Sequence, residues 1–193
     1  MGLDLPPPAC TRLIAFIHML EKWNRQYNLT AVRDPEQMIP RHLLDSLSVL
    51  PFLHGARAID IGTGAGLPGI PLALARPDLS FTLLDSNAKK ISFVRQALHE
   101  LDIRNVVVTQ ARAEKFQPPE KFDTLVTRAF AALAQIVAVG GHLLAPGGRL
   151  LAMKGVAPTE EVAALNGNYR VDIKALSVPG LDAERHLVIL EAH

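Results

Sequence analysis

The segment Ile59-Asp60-Ile61-Gly62-Thr63-Gly64-Ala65-Gly66-Leu67-Pro68-Gly69 constrains what this chain can become more than any other. An apolar run leads into three glycines spaced two apart and then into a proline. That order predicts a strand, a tight turn and the first turn of a helix. Glycine reaches positive φ without a Cβ clash and lets a ligand lie against bare backbone. The helix start beyond offers unpaired N–H groups and the positive end of a dipole. Pro68 near that start breaks no internal hydrogen bond.

Two ligand classes compete for such a turn. The dinucleotide pattern G-x-G-x-x-G is met by Gly64, Gly66 and Gly69. Read one step earlier, Gly62-x-Gly64-x-Gly66 is the pattern of an S-adenosylmethionine turn. Register favours the second. The strand runs straight into Gly62, whereas a dinucleotide site needs its first glycine directly after the strand to seat a pyrophosphate. S-adenosylmethionine has no phosphate, and a turn of this kind can line its methionyl and ribose parts. The next apolar run closes on Asp85, 23 positions after Gly62. A carboxylate there can accept hydrogen bonds from both ribose hydroxyls. It can equally N-cap the helix that begins near Asn87. Ala111-Arg112-Ala113-Glu114 falls where an adenine would lie in this fold.

The rest of the chain supplies the architecture. Residues 9–27 carry apolar residues at three- and four-residue steps, namely Leu13, Ile17, Leu20 and Trp23, so they form a helix. Pro6, Pro7 and Pro8 stop it from starting earlier. Asp34-Pro35-Glu36 is a helix start with Asp34 as N-cap, and Pro40 divides that region in two. Leu43, Leu44, Leu47 and Leu50 then give an apolar face. Apolar runs at 58–61, 81–84, 105–109, 122–126 and 149–153 alternate with helical stretches near 68–76, 87–101 and 131–145. That alternation predicts an α/β doubly wound fold with a mostly parallel sheet. Residues 169–176 and 186–190, either side of Pro179-Gly180, predict an antiparallel hairpin at the sheet edge. We therefore expect a helical cap over residues 1–55 and one compact unit over 56–193.

Bulk properties exclude several classes. Hydrophobic residues make up 49% of the 193, but no apolar run approaches the ~20 residues of a membrane helix. Met1–Pro8 lacks the plan of a secretory signal. Cys10 is the only cysteine, so a cytoplasmic setting is expected and a cysteine metal cluster is not. No H-E-x-x-H or comparable metal spacing occurs. A net charge of +1 does not identify a nucleic-acid binder. Lys22, Arg25, Arg33, Arg41 and His42, like Lys89, Lys90 and Arg95, read first as solvated helix faces.

Individual side chains keep two readings. Trp23 and Tyr27, four apart, are core more readily than base-stacking platforms. Arg128, at the end of the fourth strand, pairs with Asp123 or Glu114, or meets cofactor or RNA. His42 and Asp45 read alone as a helix-surface histidine and a solvated carboxylate. An NAD-dependent oxidoreductase, a methyltransferase for a small molecule or protein, and an RNA-binding assembly factor with a vestigial site all remain open at this point.

Particular motifs go further. Trp23-Asn24-x-x-Tyr27-Asn28-Leu29-Thr30, Arg41-His42-x-Leu44-Asp45-Ser46 and Leu67-Pro68-Gly69-Ile70-Pro71 resemble those of the bacterial 16S ribosomal RNA guanine-N7 methyltransferases, the glucose-inhibited division protein B family. So do Leu83-Leu84-Asp85-Ser86, Thr127-Arg128-Ala129-Phe130, Lys154-Gly155 and Glu184-Arg185-His186-Leu187-Val188. The resemblance covers nearly the whole chain. It implies a class I S-adenosylmethionine-dependent methyltransferase fold, with a Rossmann-like seven-stranded sheet, an antiparallel C-terminal hairpin and an N-terminal helical cap whose first helix is short for the family. It implies cofactor contacts from Gly62, Leu67, Ala113, Glu114 and Arg128, beside Gly64, Gly66 and Asp85 from the reading of the turn and second strand. Asn28, Asp45 and Arg128 would position the reacting groups. Arg41, His42, Lys154, Arg185 and His186 would meet RNA. The implied partner is 16S ribosomal RNA in the small ribosomal subunit, with guanine 527 as acceptor and the chain as a monomer off any membrane. Guanine N7 carries a lone pair and no proton, so no general base is expected.

Overall fold

The computed structural model describes residues 1–165 and 169–192. It opens with α1 (Pro7–Tyr27), 21 residues long. Pro7 and Pro8 do not delay it, because a proline in the first turn gives up an N–H that had no partner. Leu13, Phe16, Ile17 and Leu20 form its buried stripe. The helix stops at Asn28, whose left-handed φ of 50° still lets its N–H reach Asn24 O. Asp34 caps α2 (Pro35–Met38), its carboxylate accepting from Glu36 N at 3.0 Å. The expected division at Pro40 does not occur. Pro40 has no N–H to give, and the helix widens around it into a π-helical turn over Ile39–Leu44. It then tightens into α3 (Asp45–Leu47).

After residue 56 strands and helices alternate. They are β1 (Arg57–Ile61), α4 (Gly69–Ala75), β2 (Ser80–Asp85), α5 (Ala88–Glu100), β3 (Val106–Gln110), β4 (Phe122–Arg128), α6 (Leu133–Gly140), β5 (Leu144–Lys154), α7 (Thr159–Ala163), β6 (Tyr169–Ala175) and β7 (His186–Ala192). The seven strands form one sheet in the order β3-β2-β1-β4-β5-β7-β6. β1 to β5 are parallel, and β7 is antiparallel to both neighbours. The helix expected over 131–145 ends at Gly140. Leu144 already pairs with Phe122, and the ladder shifts register before Arg149 pairs with Thr124. The Gly147-Gly148 pair accommodates that shift, with φ of 74° at Gly147. The hairpin loop is longer than a tight turn, and Leu176 N closes it onto Arg185 O at 2.7 Å.

The cap and the sheet share apolar packing. Leu13, Phe16, Leu20, Leu43 and Leu47 lie in one core with Phe81, Leu83 and Phe93. Trp23 packs on Phe93 at 5.5 Å, the core reading for that residue, whereas Tyr27, 5.2 Å from Trp23, is exposed rather than core. Phe16 is fully enclosed, and truncating such a ring costs about 3–5 kcal/mol. α6 and the inward residues of β7 close the opposite face, around Leu125, Ile136 and Val188. Both faces of the parallel strands are therefore covered. Their C-terminal ends stay open, where open α/β sheets bind ligands.

Candidate functional site

Two cavities adjoin at those strand ends. The first, of about 330 Å³, is lined by Gly62, Asp85, Lys90, Ala113, Glu114 and Phe130, among others. The glycine turn shapes its floor. β1 ends at Ile61, so Gly62 is the first turn residue, with φ of 68°. Gly62 N and Thr63 N both donate to Leu84 O, which holds the turn on β2.

Asp85 joins the turn to the second strand. Its Oδ2 accepts from Gly64 N at 2.9 Å and its Oδ1 from Asn87 N at 2.8 Å. The N-cap of α5 is Asn87, whose Oδ1 accepts from Lys89 N and Lys90 N. The capping role considered for Asp85 is thus performed by its neighbour. Each Asp85 oxygen keeps a free lone pair toward the cavity.

Asp60 was not anticipated as a site residue. It is fully buried, and its Oδ2 accepts from Thr63 Oγ1 at 2.7 Å and Gly69 N at 2.9 Å. Its Oδ1 has no partner among the described residues. Burial pushes the Asp60 carboxyl up to about 7, against hydrogen bonds from Thr63 and Gly69 and the charge of Arg128. A carboxylate two residues before a Gly-x-Gly turn was the available signal: it ties both ends of the turn together.

The other expected turn contacts are placed differently. Gly64, Gly66 and Leu67 are not in the cavity wall. Leu67 is buried in the apolar core, and Ile70 fills the space beside Gly66. All three help to build the turn. Lys90 was read as a solvated charge, yet it lines the cavity, and its Nζ is 3.9 Å from where a Cβ on Gly64 would stand.

The second cavity, of about 420 Å³, is lined by Arg41, His42, Asp45, Arg128, Lys154 and Arg185, with Ala129 common to both cavities. Its centre is Asp45. The side chain is only 4% exposed and lies between two guanidiniums. Arg185 Nε donates to Oδ1 at 3.0 Å and Arg128 Nη1 to Oδ2 at 3.3 Å. Arg128 also donates to Arg41 O at 3.1 Å. Arg128 therefore pairs neither with Asp123 nor with Glu114, and it faces this cavity rather than the cofactor side. Asp45 is not solvated, because the π-helical turn carries it inward from the helix surface.

His42 is likewise buried. Its Nδ1 lies 3.0 Å from Arg41 O and its Nε2 2.9 Å from Thr30 Oγ1. A carbonyl only accepts, so Nδ1 donates and Nε2 accepts from the threonine. Burial and then the charge of Arg128 push the imidazole down to about 4, so it is neutral near pH 7. A neutral ring with both nitrogens occupied is not a phosphate ligand. It anchors the cap segment instead.

Three other expected contacts also find protein partners. Lys154 Nζ donates to Ala131 O and to Glu161 Oε2, each at 2.8 Å. Asn28 lies outside both cavity walls and accepts from Arg33 at 2.6 Å. His186 lies beside the second cavity, its Nδ1 2.7 Å from Gly155 O. No group of three potential metal ligands exists among the described residues, nor any helix long and apolar enough to cross a membrane.

The sheet order and the glycine turn are those of class I S-adenosylmethionine-dependent methyltransferases. The fold matches NodS, an N-methyltransferase from Bradyrhizobium japonicum solved with S-adenosyl-L-homocysteine, at a TM-score of 0.62 and 18% identity, covering 90% of this chain and 98% of that one. It also matches a predicted O-methyltransferase from Agrobacterium tumefaciens at 0.63 and 21% identity, covering 78% and 80%. The family model GidB, rRNA small subunit methyltransferase G, matches residues 9–188, and the chain belongs to that family. Ribosomal RNA small subunit methyltransferase G of Xanthomonas campestris is 55% identical over 179 residues, 92% of this chain and 84% of that protein. The Cronobacter sakazakii protein of the same name is 50% identical over the whole chain and 93% of its own length. The dinucleotide alternative falls with these matches and with the placement of Gly62.

Proposed function

We propose that this chain transfers the methyl group of S-adenosylmethionine to N7 of a guanine in 16S ribosomal RNA of the small subunit, guanine 527 by family resemblance. One observation carries the reading. A cavity floored by a glycine turn and edged by carboxylates shares a wall, Ala129, with a cavity that presents two arginines.

The residues present fit the cofactor. The cavity volume is in the range of small-molecule sites. Asp85 has lone pairs for a ribose diol, and the bare Gly62 backbone admits close approach. Ala113 and Glu114 follow β3 where the adenine edge would lie. When bound, the cofactor supplies a methyl on a positively charged sulfur.

This chain's own work is then positional. Arg128 and Arg185, held by Asp45, keep guanidinium N–H groups for an RNA phosphate or base edge. Arg41 stands at the same rim. Fixing two reactants in line gains about 7–11 kcal/mol of barrier, and guanine N7 has no proton for a general base to remove. Residues 1–55 act as a cap that supplies one side of the acceptor cavity. The working unit is a monomer.

The test is labelled methyl transfer to small subunits from cells lacking this modification, followed by mass spectrometry of the 16S RNA. One methyl at a guanine N7 in the decoding-region loop is expected. Label confined to protein would overturn the substrate.

A further inference from the structure

The segment between β4 and α6 is the wall between the two cavities, because Ala129 lines both. Methyl transfer needs donor and acceptor atoms about 3–3.5 Å apart and in line, so the reaction must occur across this wall. The wall is unusual in three ways. Ala129 holds φ of 50°, a left-handed conformation that a residue with a Cβ adopts only when its surroundings enforce it. Phe130 beside it, on the first cavity's side of the wall, is a large apolar ring left 39% exposed. One side of that ring is seated on the glycine turn, where a Cβ on Gly62 would come within 2.4 Å of Phe130 Cδ2. The remainder of the ring is open.

The far end of the wall is tied down twice. Lys154 Nζ holds Ala131 O at 2.8 Å, and Glu161 Oε2 holds Leu133 N at 2.7 Å. Lys154 and Glu161 are themselves joined at 2.8 Å. Burial works to raise the Glu161 carboxyl, but the hydrogen bonds from Lys154 and Leu133 N hold it below the usual range. One carboxylate therefore anchors both the loop's N–H and the cation on the loop's carbonyl.

We propose that Phe130 is the surface on which the acceptor guanine stacks, and that Lys154 and Glu161 are positioning residues that hold its loop at the required place. This rests on the acceptor reading given above. The chemistry suits an aromatic face. The N7 lone pair forms the new N–C bond, the C–S bond breaks, and its electron pair returns to sulfur. Positive charge passes from sulfur to the purine, and no proton is lost. A cation over a ring face is attracted by the ring quadrupole. The contact therefore strengthens as the methyl arrives, which is what accelerates a reaction rather than merely binding its substrate. An aliphatic side chain of similar size fills the same space without that quadrupole.

The experiment compares the intact wild-type chain with Phe130→Tyr, Phe130→Leu, Glu161→Ala and the Phe130→Leu/Glu161→Ala double variant. Single-turnover transfer to unmethylated small subunits is measured at saturating cofactor, and S-adenosylmethionine affinity by calorimetry. Phe130→Tyr should stay within about twofold of wild type. Phe130→Leu should lose roughly tenfold to a hundredfold in rate at saturating cofactor, the range of a base–aromatic stack, a loss well beyond any change in cofactor affinity that follows from its place in the first cavity's wall. Glu161→Ala should move in the same direction. The double variant should lose less than the product of the single losses, since both act through one ring. A wild-type rate in Phe130→Leu, or a loss matched by its loss of cofactor affinity, would overturn the stacking role. Multiplicative losses would overturn the positioning role of Glu161. Failure of the wild-type chain to label the RNA would strike the acceptor reading instead.

Discussion

The two cavities are built from different materials. The cavity proposed for the cofactor has a backbone floor, the glycine turn after β1, with Asp85, Lys90, Glu114 and Phe130 in its walls. Its parts come from one continuous stretch, residues 62–130. The acceptor cavity is made of long charged side chains from four places, at Arg41–Asp45, Arg128, Lys154 and Arg185. A backbone floor cannot be altered by changing a side chain, but it fails when a side chain is added. A side-chain floor fails when any one member is lost. The first arrangement suits a ligand that never changes, the second an acceptor that must be distinguished from others.

That contrast can be broken most directly at Asp45. Asp45→Ala leaves two arginines facing each other without their carboxylate. Stability should fall by about 3 kcal/mol, since removing one member of a buried pair is costly and both guanidiniums here retain some solvent. Methyl transfer should be lost while the cofactor still binds to the folded fraction. Urea unfolding and calorimetry check both halves. Equal loss of cofactor affinity would show that the cavities are not separable.

His42 tests the same side through pH. Its folded pKa lies below the unfolded value, so the unfolded chain binds the extra proton first. The stability contributed by the neutral ring is present above pH 6.5 and is lost as pH falls toward 4. The full effect is on the order of 3 kcal/mol. Unfolding curves of His42→Gln across that window should be flatter than those of the wild-type chain by a comparable amount.

On the cofactor side, Asp85→Ala should weaken S-adenosylmethionine binding by about 1–3 kcal/mol, the cost of lost charge-assisted hydrogen bonds. The same variant should leave the salt dependence of RNA binding unchanged. Arg185→Ala should show the reverse pattern. Cofactor affinity should be unaltered, and the slope of log K against log salt for RNA should shrink by about one. If Asp85→Ala alters that slope, the division between the cavities is wrong.

The same contrast explains what the sequence disclosed. The parallel sheet, the hairpin and the glycine turn were legible because each is written in local spacing and composition. Gly62 and Asp85, singled out for that reason, line the first cavity. The acceptor side was not legible in the same way. Asp45 reads as a solvated acid until the π-helical turn at Pro40 carries it inward, and no periodicity announces such a turn. Arg128 was noticed, but its partner lies 83 positions away, on the cap. Lys154 looked like a phosphate contact because Glu161 arrives from a helix with no apparent connection to it. Phe130 was part of a recognised motif but had no role, since only the seat on Gly62 shows which way the ring lies.

The bond from Arg185 to Asp45 joins residues 140 positions apart. Closing so long a loop has an entropic cost that neighbouring contacts must offset before the bond can form. It joins the cap to the residue before β7, which lies between β5 and β6, whereas the turn at Gly62 is held on β2. One buried carboxylate thus ties the start of the chain to its end, while the turn at Gly62 is tied only to its nearest strand.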